Sequence, residues 1–178
     1  IGEGNNLKRQ AEVRRQGQMG IRESLKDSAH LDLEELAQRR AEVYLSEQFK
    51  KLISDAEKNV QQIEPKDLDL NNLDILLLDV REPEEFASGY LRKEKHLTIP
   101  RGKLEFVAIK KIFEQYGHDV PIVTYCFKGP RGLLAAEQLK KMGFTNVKNI
   151  KDGLINWLES GRTLKSYFGE ITLVAKKS

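Results

Sequence analysis

The one cysteine in the chain, Cys126, opens the run Cys126-Phe127-Lys128-Gly129-Pro130-Arg131-Gly132, directly after the apolar stretch Val120 to Tyr125. That spacing predicts a thiol on a strand-to-helix turn. An ordinary thiol, with a pKa of about 8.5, is only slightly ionised at neutral pH, and the thiolate is the nucleophile. Backbone amides in such a turn, the positive end of the following helix, and the cations Lys128 and Arg131 would favour the thiolate and hold an anion beside it. The expected chemistry is nucleophilic sulfur chemistry, with Cys126 attacking and Arg131 and Lys128 attending the anion.

A thiol can be presented in this way only by elements that fix the turn. From about Pro65 onward short apolar runs alternate with amphipathic stretches. Ile75 to Leu78 and Ile122 to Tyr125 read as buried parallel strands, and Leu97 to Ile99 and Val147 to Ile150 as shorter ones. Helices are predicted at about Pro83 to Ser88, Lys103 to Tyr116, Arg131 to Met142 and Gly153 to Glu159, closed by Gly89, Gly117, Gly143 and Gly161. The alternation predicts an α/β fold, an open, mostly parallel sheet with helices on both faces. Ligands bind such sheets at the carboxyl ends of the strands, where Cys126 falls.

The residues before this region have a different pattern, highly charged and helical. Leu33, Leu36, Ala37, Ala41, Tyr44, Leu45, Phe49, Leu52, Ile53, Ala56 and Val60 recur at helical spacing, and Asp32 with Glu35 has the form of a capping box. A helix from about Asp32 to Lys58 is predicted, and upstream Val13, Ile21 and Leu25 form a weaker stripe broken by Gly17 and Gly20. The organisation expected is a helical N-terminal extension over residues 1–62, an α/β domain over 63–165 and a tail over 166–178. The stripe must be covered by its own domain or by another chain. A homodimer through this helix is slightly favoured, because the short link at Ile63-Glu64-Pro65 limits folding back.

Four segments together resemble the rhodanese-like sulfurtransferases. They are Leu78-Asp79-Val80-Arg81-Glu82-Pro83-Glu84-Glu85-Phe86; Gly89-Tyr90-Leu91 leading to Ile99-Pro100-Arg101-Gly102; the loop Cys126 to Arg131; and Lys151-Asp152-Gly153-Leu154 to Trp157. Leu97 to Phe106 is also similar to the single-domain branch that includes periplasmic polysulfide sulfurtransferases. The resemblance implies a rhodanese-like fold and a two-step transfer. Cys126 takes the sulfane sulfur of thiosulfate or polysulfide as a persulfide, and a thiol, sulfide or cyanide acceptor removes it. It implies a persulfide-binding loop of Phe127, Lys128, Gly129, Pro130 and Gly132. The partners implied are small sulfur-containing anions and a thiol or protein sulfur acceptor, with no cofactor.

The chain departs from the family pattern in three places. Arg92 to His96 stands where the family turns on a short Gly-Ala, so a longer basic loop is expected there. Pro130 removes one amide from the anion cradle, and Gly132 lacks the hydroxyl of the serine often found there. Asp79 and Arg81 are expected as a structural ion pair supporting the loops rather than as catalysts. Arg101 either points toward the pocket or is a solvated or structural arginine, and Phe127 is a pocket wall or a lid. Trp157 reads as core, and Tyr167 with Phe168 as cover for the sheet or an interface. His30, His96 and His118 lack ligand spacing, so no metal is expected.

Composition narrows the rest. Intermixed charges, 30 basic and 27 acidic for a net +3, give no basic patch that points to nucleic acid. No apolar run reaches the roughly 20 residues needed to span a bilayer. A soluble protein is expected, cytoplasmic or periplasmic, since a single cysteine leaves the redox compartment open. Three other readings compete with transfer catalysis: a non-catalytic persulfide carrier or interaction module docking through the N-terminal helix, a phosphatase, and a redox sensor. The loop is one residue short for phosphatase chemistry, and no second cysteine is present to resolve an oxidised thiol.

Overall fold

The computed structural model describes Glu42 and residues 46–172. Backbone contacts divide the chain into two units, Ile1–Lys50 and Lys51–Ser178, and the fold described here is that of the second. Its centre is a five-stranded sheet of β1 (Gln61–Ile63), β2 (Leu76–Asp79), β3 (His96–Thr98), β4 (Ile122–Tyr125) and β5 (Val147–Ile150). The order is β1-β5-β4-β2-β3, with every neighbouring pair parallel.

The helices are α1 (Glu47–Asn59), α2 (Pro83–Phe86), α3 (Leu104–Ala108), α4 (Glu114–Tyr116), α5 (Pro130–Lys141) and α6 (Gly153–Glu159), with a π-helical turn Ile109–Phe113 joining α3 to α4. The chain leaves β2 toward one edge of the sheet and leaves β4 toward the other. The crevice between the ends of these two adjacent strands is therefore the topological switch point at which such sheets bind ligands.

Alternation along the strands separates two apolar layers. Leu76, Leu78 and Ile122 face one layer with Leu104, Ile112, Leu133 and Leu139. Leu77, Val123, Tyr125 and Ile150 face the other with Leu154 and Trp157. β2 and β4 are buried along their whole length. Each fully buried Leu or Ile contributes about 1.5 to 3 kcal/mol relative to exposure, so these central strands form the firmest part of the frame. The strands and helices expected from Pro65 to Glu159 all appear, each starting within one residue of its expected start. The helix expected over Lys103 to Tyr116 is interrupted by the π turn.

Three features differ from the sequence reading. Gln61–Ile63 is an edge strand paired with β5. Leu164–Ser166 and Gly169–Ile171 form an antiparallel hairpin, β6 and β7. Tyr167 and Phe168 do not cover the sheet; they occupy the hairpin turn, 93% and 95% exposed. Leu164 is the hairpin residue that is buried, packing with Leu91 and Trp157.

Part of the apolar helical stripe is covered by its own domain, since Ala56 and Val60 are buried and Ile53 packs on the same layer. Leu52 remains about half exposed. The stretch of the expected helix before Ser46, apart from Glu42, lies outside the described residues, as do the weaker upstream stripe and His30.

Candidate active site

Cys126 sits one residue beyond β4, at the switch point, with 1% of its surface exposed. Gly129 turns the chain with φ +104°, and its N–H donates to Cys126 Sγ at 3.1 Å. Pro130 then opens α5, where a missing N–H costs no intrahelical bond.

The loop is held from below by α6. Leu154 N–H donates to Cys126 O at 3.0 Å and Ile155 N–H to Phe127 O at 3.1 Å. This close seating requires a glycine at 153. A Cβ there would lie 2.4 Å from Cys126 O and 2.8 Å from Gly129 N, and the backbone has φ +62°. Two loop carbonyls are thereby turned toward α6 while the Gly129 amide is turned toward sulfur.

Gly132 serves packing. A Cβ at this position would lie 2.3 Å from Asn149 Oδ1 and 3.2 Å from Cys126 N, so a serine there would require Asn149 to move. The Thr124 hydroxyl donates to Gly132 O at 2.8 Å. Thr124 and Asn149 are both fully buried and were not singled out in the sequence. Their polarity within otherwise apolar strands was the available signal.

Across the crevice, Asp79 and Arg81 form the expected ion pair, 0% and 1% exposed. Arg81 Nε donates to Asp79 Oδ1 at 2.9 Å and its Nη2 to Asp79 Oδ2 at 2.6 Å. The remaining guanidinium donors reach Gly89 O at 2.8 Å and Glu85 O at 3.1 Å, tying both ends of the α2 connection to the strand. Burial disfavours the Arg81 charge, but hydrogen bonds and attraction from Asp79 outweigh it and its pKa is raised.

Arg131, half exposed, makes a bidentate pair with Glu85, both contacts 2.6 Å. That pairing holds the Glu85 carboxyl below its ordinary pKa. Arg131 thus links α2 to α5 across the switch point. Arg101 donates to Glu105 one helical turn on, at 2.9 Å, both partly exposed. Lys128 is exposed, with no ion pair among the described residues, and Phe127 is 40% exposed at the rim.

The expected basic loop is partly turned inward. Lys93 donates to the carbonyls of Leu70 and Asn72, and burial lowers its pKa. His96 begins β3 and lies 2.9 Å from the Tyr125 hydroxyl, in a stack with Phe86 and Tyr90. Burial lowers the His96 pKa and raises that of Tyr125. Among the described residues no group of His, Cys, Asp and Glu has the arrangement to hold a metal ion.

The sheet, its switch point and the cysteine loop agree with a match of residues 64–160 to the rhodanese-like domain. The chain belongs to the rhodanese-like family. It is 33% identical over 99 residues to a putative mitochondrial thiosulfate sulfurtransferase of Schizosaccharomyces pombe, a match covering 51% of this chain and 66% of that protein. The chain thus spans just under two thirds of that relative.

Among solved structures, the rhodanese-like domain resembles the homodimeric polysulfide-sulfur transferase of Wolinella succinogenes. Identity is 29%, the TM-score 0.56, and the match covers 74% of this chain and 92% of that one. It also resembles a Rhodopseudomonas palustris protein of unknown function described as a possible tyrosine phosphatase. Identity there is 25%, the TM-score 0.57, and coverage 65% and 92%. Among the described residues no helix is long and apolar enough to cross a membrane.

Proposed function

We propose that this protein is a sulfurtransferase, moving sulfane sulfur from thiosulfate or polysulfide through a persulfide on Cys126 to a thiol, sulfide or cyanide. The observation that carries the reading is the Gly129 amide directed at Cys126 Sγ in a loop otherwise held by its carbonyls. A donor amide aimed at sulfur favours the anionic forms, thiolate and persulfide, over the neutral thiol.

With thiosulfate, the Cys126 thiolate attacks the outer sulfur, one S–S bond forms, and the bond to the sulfonate breaks. Sulfite leaves with the electron pair. The acceptor thiolate then attacks the outer persulfide sulfur, giving its own persulfide and regenerating the Cys126 thiolate. Both steps are exchanges between anions, so no external oxidant or general base is required. Lys128 draws the anionic donor, and Arg131, seated on Glu85, borders the loop from the first turn of α5. Asp79 and Arg81 support the site without touching sulfur. The short loop disfavours phosphatase chemistry in this reading. Self-association through the N-terminal helix belongs to it, supported by the homodimeric neighbour.

The test is intact mass after incubation with thiosulfate or polysulfide, followed by turnover with an added thiol or cyanide. A gain of one sulfur, absent from Cys126→Ser, with steady turnover is the expected result. Sulfur on Cys126 without turnover would instead make the protein a carrier. No added sulfur on the wild type would overturn the reading.

A further inference from the structure

Behind the cysteine loop lies a buried polar contact that reaches the edge strand β1. Asn149 on β5 is fully buried, and its amide nitrogen donates to Ile150 O at 3.0 Å and to Gln62 Oε1 at 3.3 Å. With the nitrogen so engaged, the amide oxygen must face the other way, toward α5. It lies 3.2 Å from the Thr124 hydroxyl and in the space that a Cβ on Gly132 would need. That same space is bordered by Cys126 N at 3.2 Å. The Asn149 oxygen, the first turn of α5 and the backbone of the nucleophile therefore meet at one point.

We propose that Asn149, oriented by Gln62, is a positioning residue for the sulfur loop, acting as the stop against which the first turn of α5 rests at Gly132. The stop decides where Gly129 points its amide, because Gly129 O accepts the first bond of α5, from Leu133 N at 3.0 Å. The Thr124 hydroxyl holds the same turn from the side through Gly132 O. Gln62 precedes the matched family segment 64–160, so the orienting partner is supplied by the chain just before the domain. This inference rests on the sulfurtransferase reading for its chemistry and on packing for its geometry.

Removing the Asn149 side chain leaves room for α5 to settle and carries the Gly129 amide off sulfur. Misplacement of that order lowers the rate of the chemical step by about 10-fold or more, with little change in donor KM, because Lys128 is untouched. The experiment compares Asn149→Ala, Gln62→Leu and Gln62→Glu with wild type. Each is assayed by single-turnover persulfide formation, by alkylation of Cys126 with neutral iodoacetamide, and by thermal melting.

Expected are parallel losses in both rates for Asn149→Ala, a smaller loss for Gln62→Leu, and recovery for Gln62→Glu, which keeps the acceptor oxygen. A purely structural residue would lower the melting temperature and leave both rates of the folded protein unchanged; that outcome overturns the proposal. If Asn149→Ala does not fold, the Gln62 pair decides, and equal rates for Leu and Glu overturn it. A wild type that forms no persulfide sinks the sulfurtransferase reading instead, while the alkylation rates still judge Asn149.

Discussion

Two strand-to-helix turns face each other across the switch point, and they are held by opposite means. The turn after β2 is closed by side chains, with the buried Asp79–Arg81 pair bonded to the carbonyls of Glu85 and Gly89. The turn after β4 is held through backbone, with carbonyls of Cys126 and Phe127 accepting from the start of α6 and glycines wherever chains press together. A side-chain brace fills its turn and leaves nothing over for a ligand. A backbone brace leaves the Gly129 amide directed at Cys126 Sγ, the arrangement on which the proposed sulfur chemistry rests. The comparison teaches that the buried charges Asp79 and Arg81, although conspicuous in sequence, maintain the frame, and that glycines set how closely the cysteine loop packs on its neighbours.

The sharpest way to break this contrast is Asp79→Asn. It leaves the Arg81 guanidinium buried without its counter-charge, and removing one partner of such a pair costs about 3 to 5 kcal/mol. Urea unfolding should register that loss while the folded fraction still forms persulfide at close to the wild-type rate. A loss of persulfide formation without loss of stability would move Asp79 from frame to site.

Gly153→Ala tests the other turn. A Cβ at φ +62°, placed 2.4 Å from Cys126 O, must push the loop. About 1 to 3 kcal/mol of destabilisation is expected, now accompanied by slower persulfide formation. If stability falls and the rate does not, the loop is not held in its working shape by α6.

The smallest effect concerns the link between the two turns. The Glu85 carboxyl is depressed below its ordinary 4.5, first by its hydrogen bonds to Arg131, with burial opposing. A depressed acid stabilises the fold above its unfolded pKa, and this stabilisation is lost as pH falls through the lower folded value. The pair is about a third exposed, so under about 1 kcal/mol is at stake. Below pH 4.5 the wild type should lose this increment and Glu85→Gln should not. Identical acid unfolding curves would show the pair to be energetically neutral.

Legibility in the sequence followed the range of the interactions. The strand Ile122–Tyr125 and the helix Gly153–Glu159 were readable because a mostly apolar, β-branched run and a Gly-bounded amphipathic run are local signals. Gln61–Ile63 was not, because it has neither a β-branched run nor alternation and becomes a strand only by pairing with β5. The hairpin of β6 and β7 was missed for a similar reason, and of the two places expected for Tyr167 and Phe168 their exposure in the turn excludes cover for the sheet. Within the site, Cys126 and its loop were legible from spacing, as was the Asp79–Arg81 pair.

What the sequence by itself determined is the alternation of β2 to β5 with their helices and the position of a lone thiol after a buried strand. These depend on periodicity, on glycine punctuation and on adjacency along the chain. Only the tertiary structure decided the partners: that Arg131 is seated on Glu85, 46 positions away, and that Gln62 reaches Asn149, 87 positions away. It also decided that a side chain at 132 would collide with Asn149. The physical reason is that a parallel sheet joins residues through crossover connections, so its contacts are set by strand order and register. Neither is written in any local run of residues.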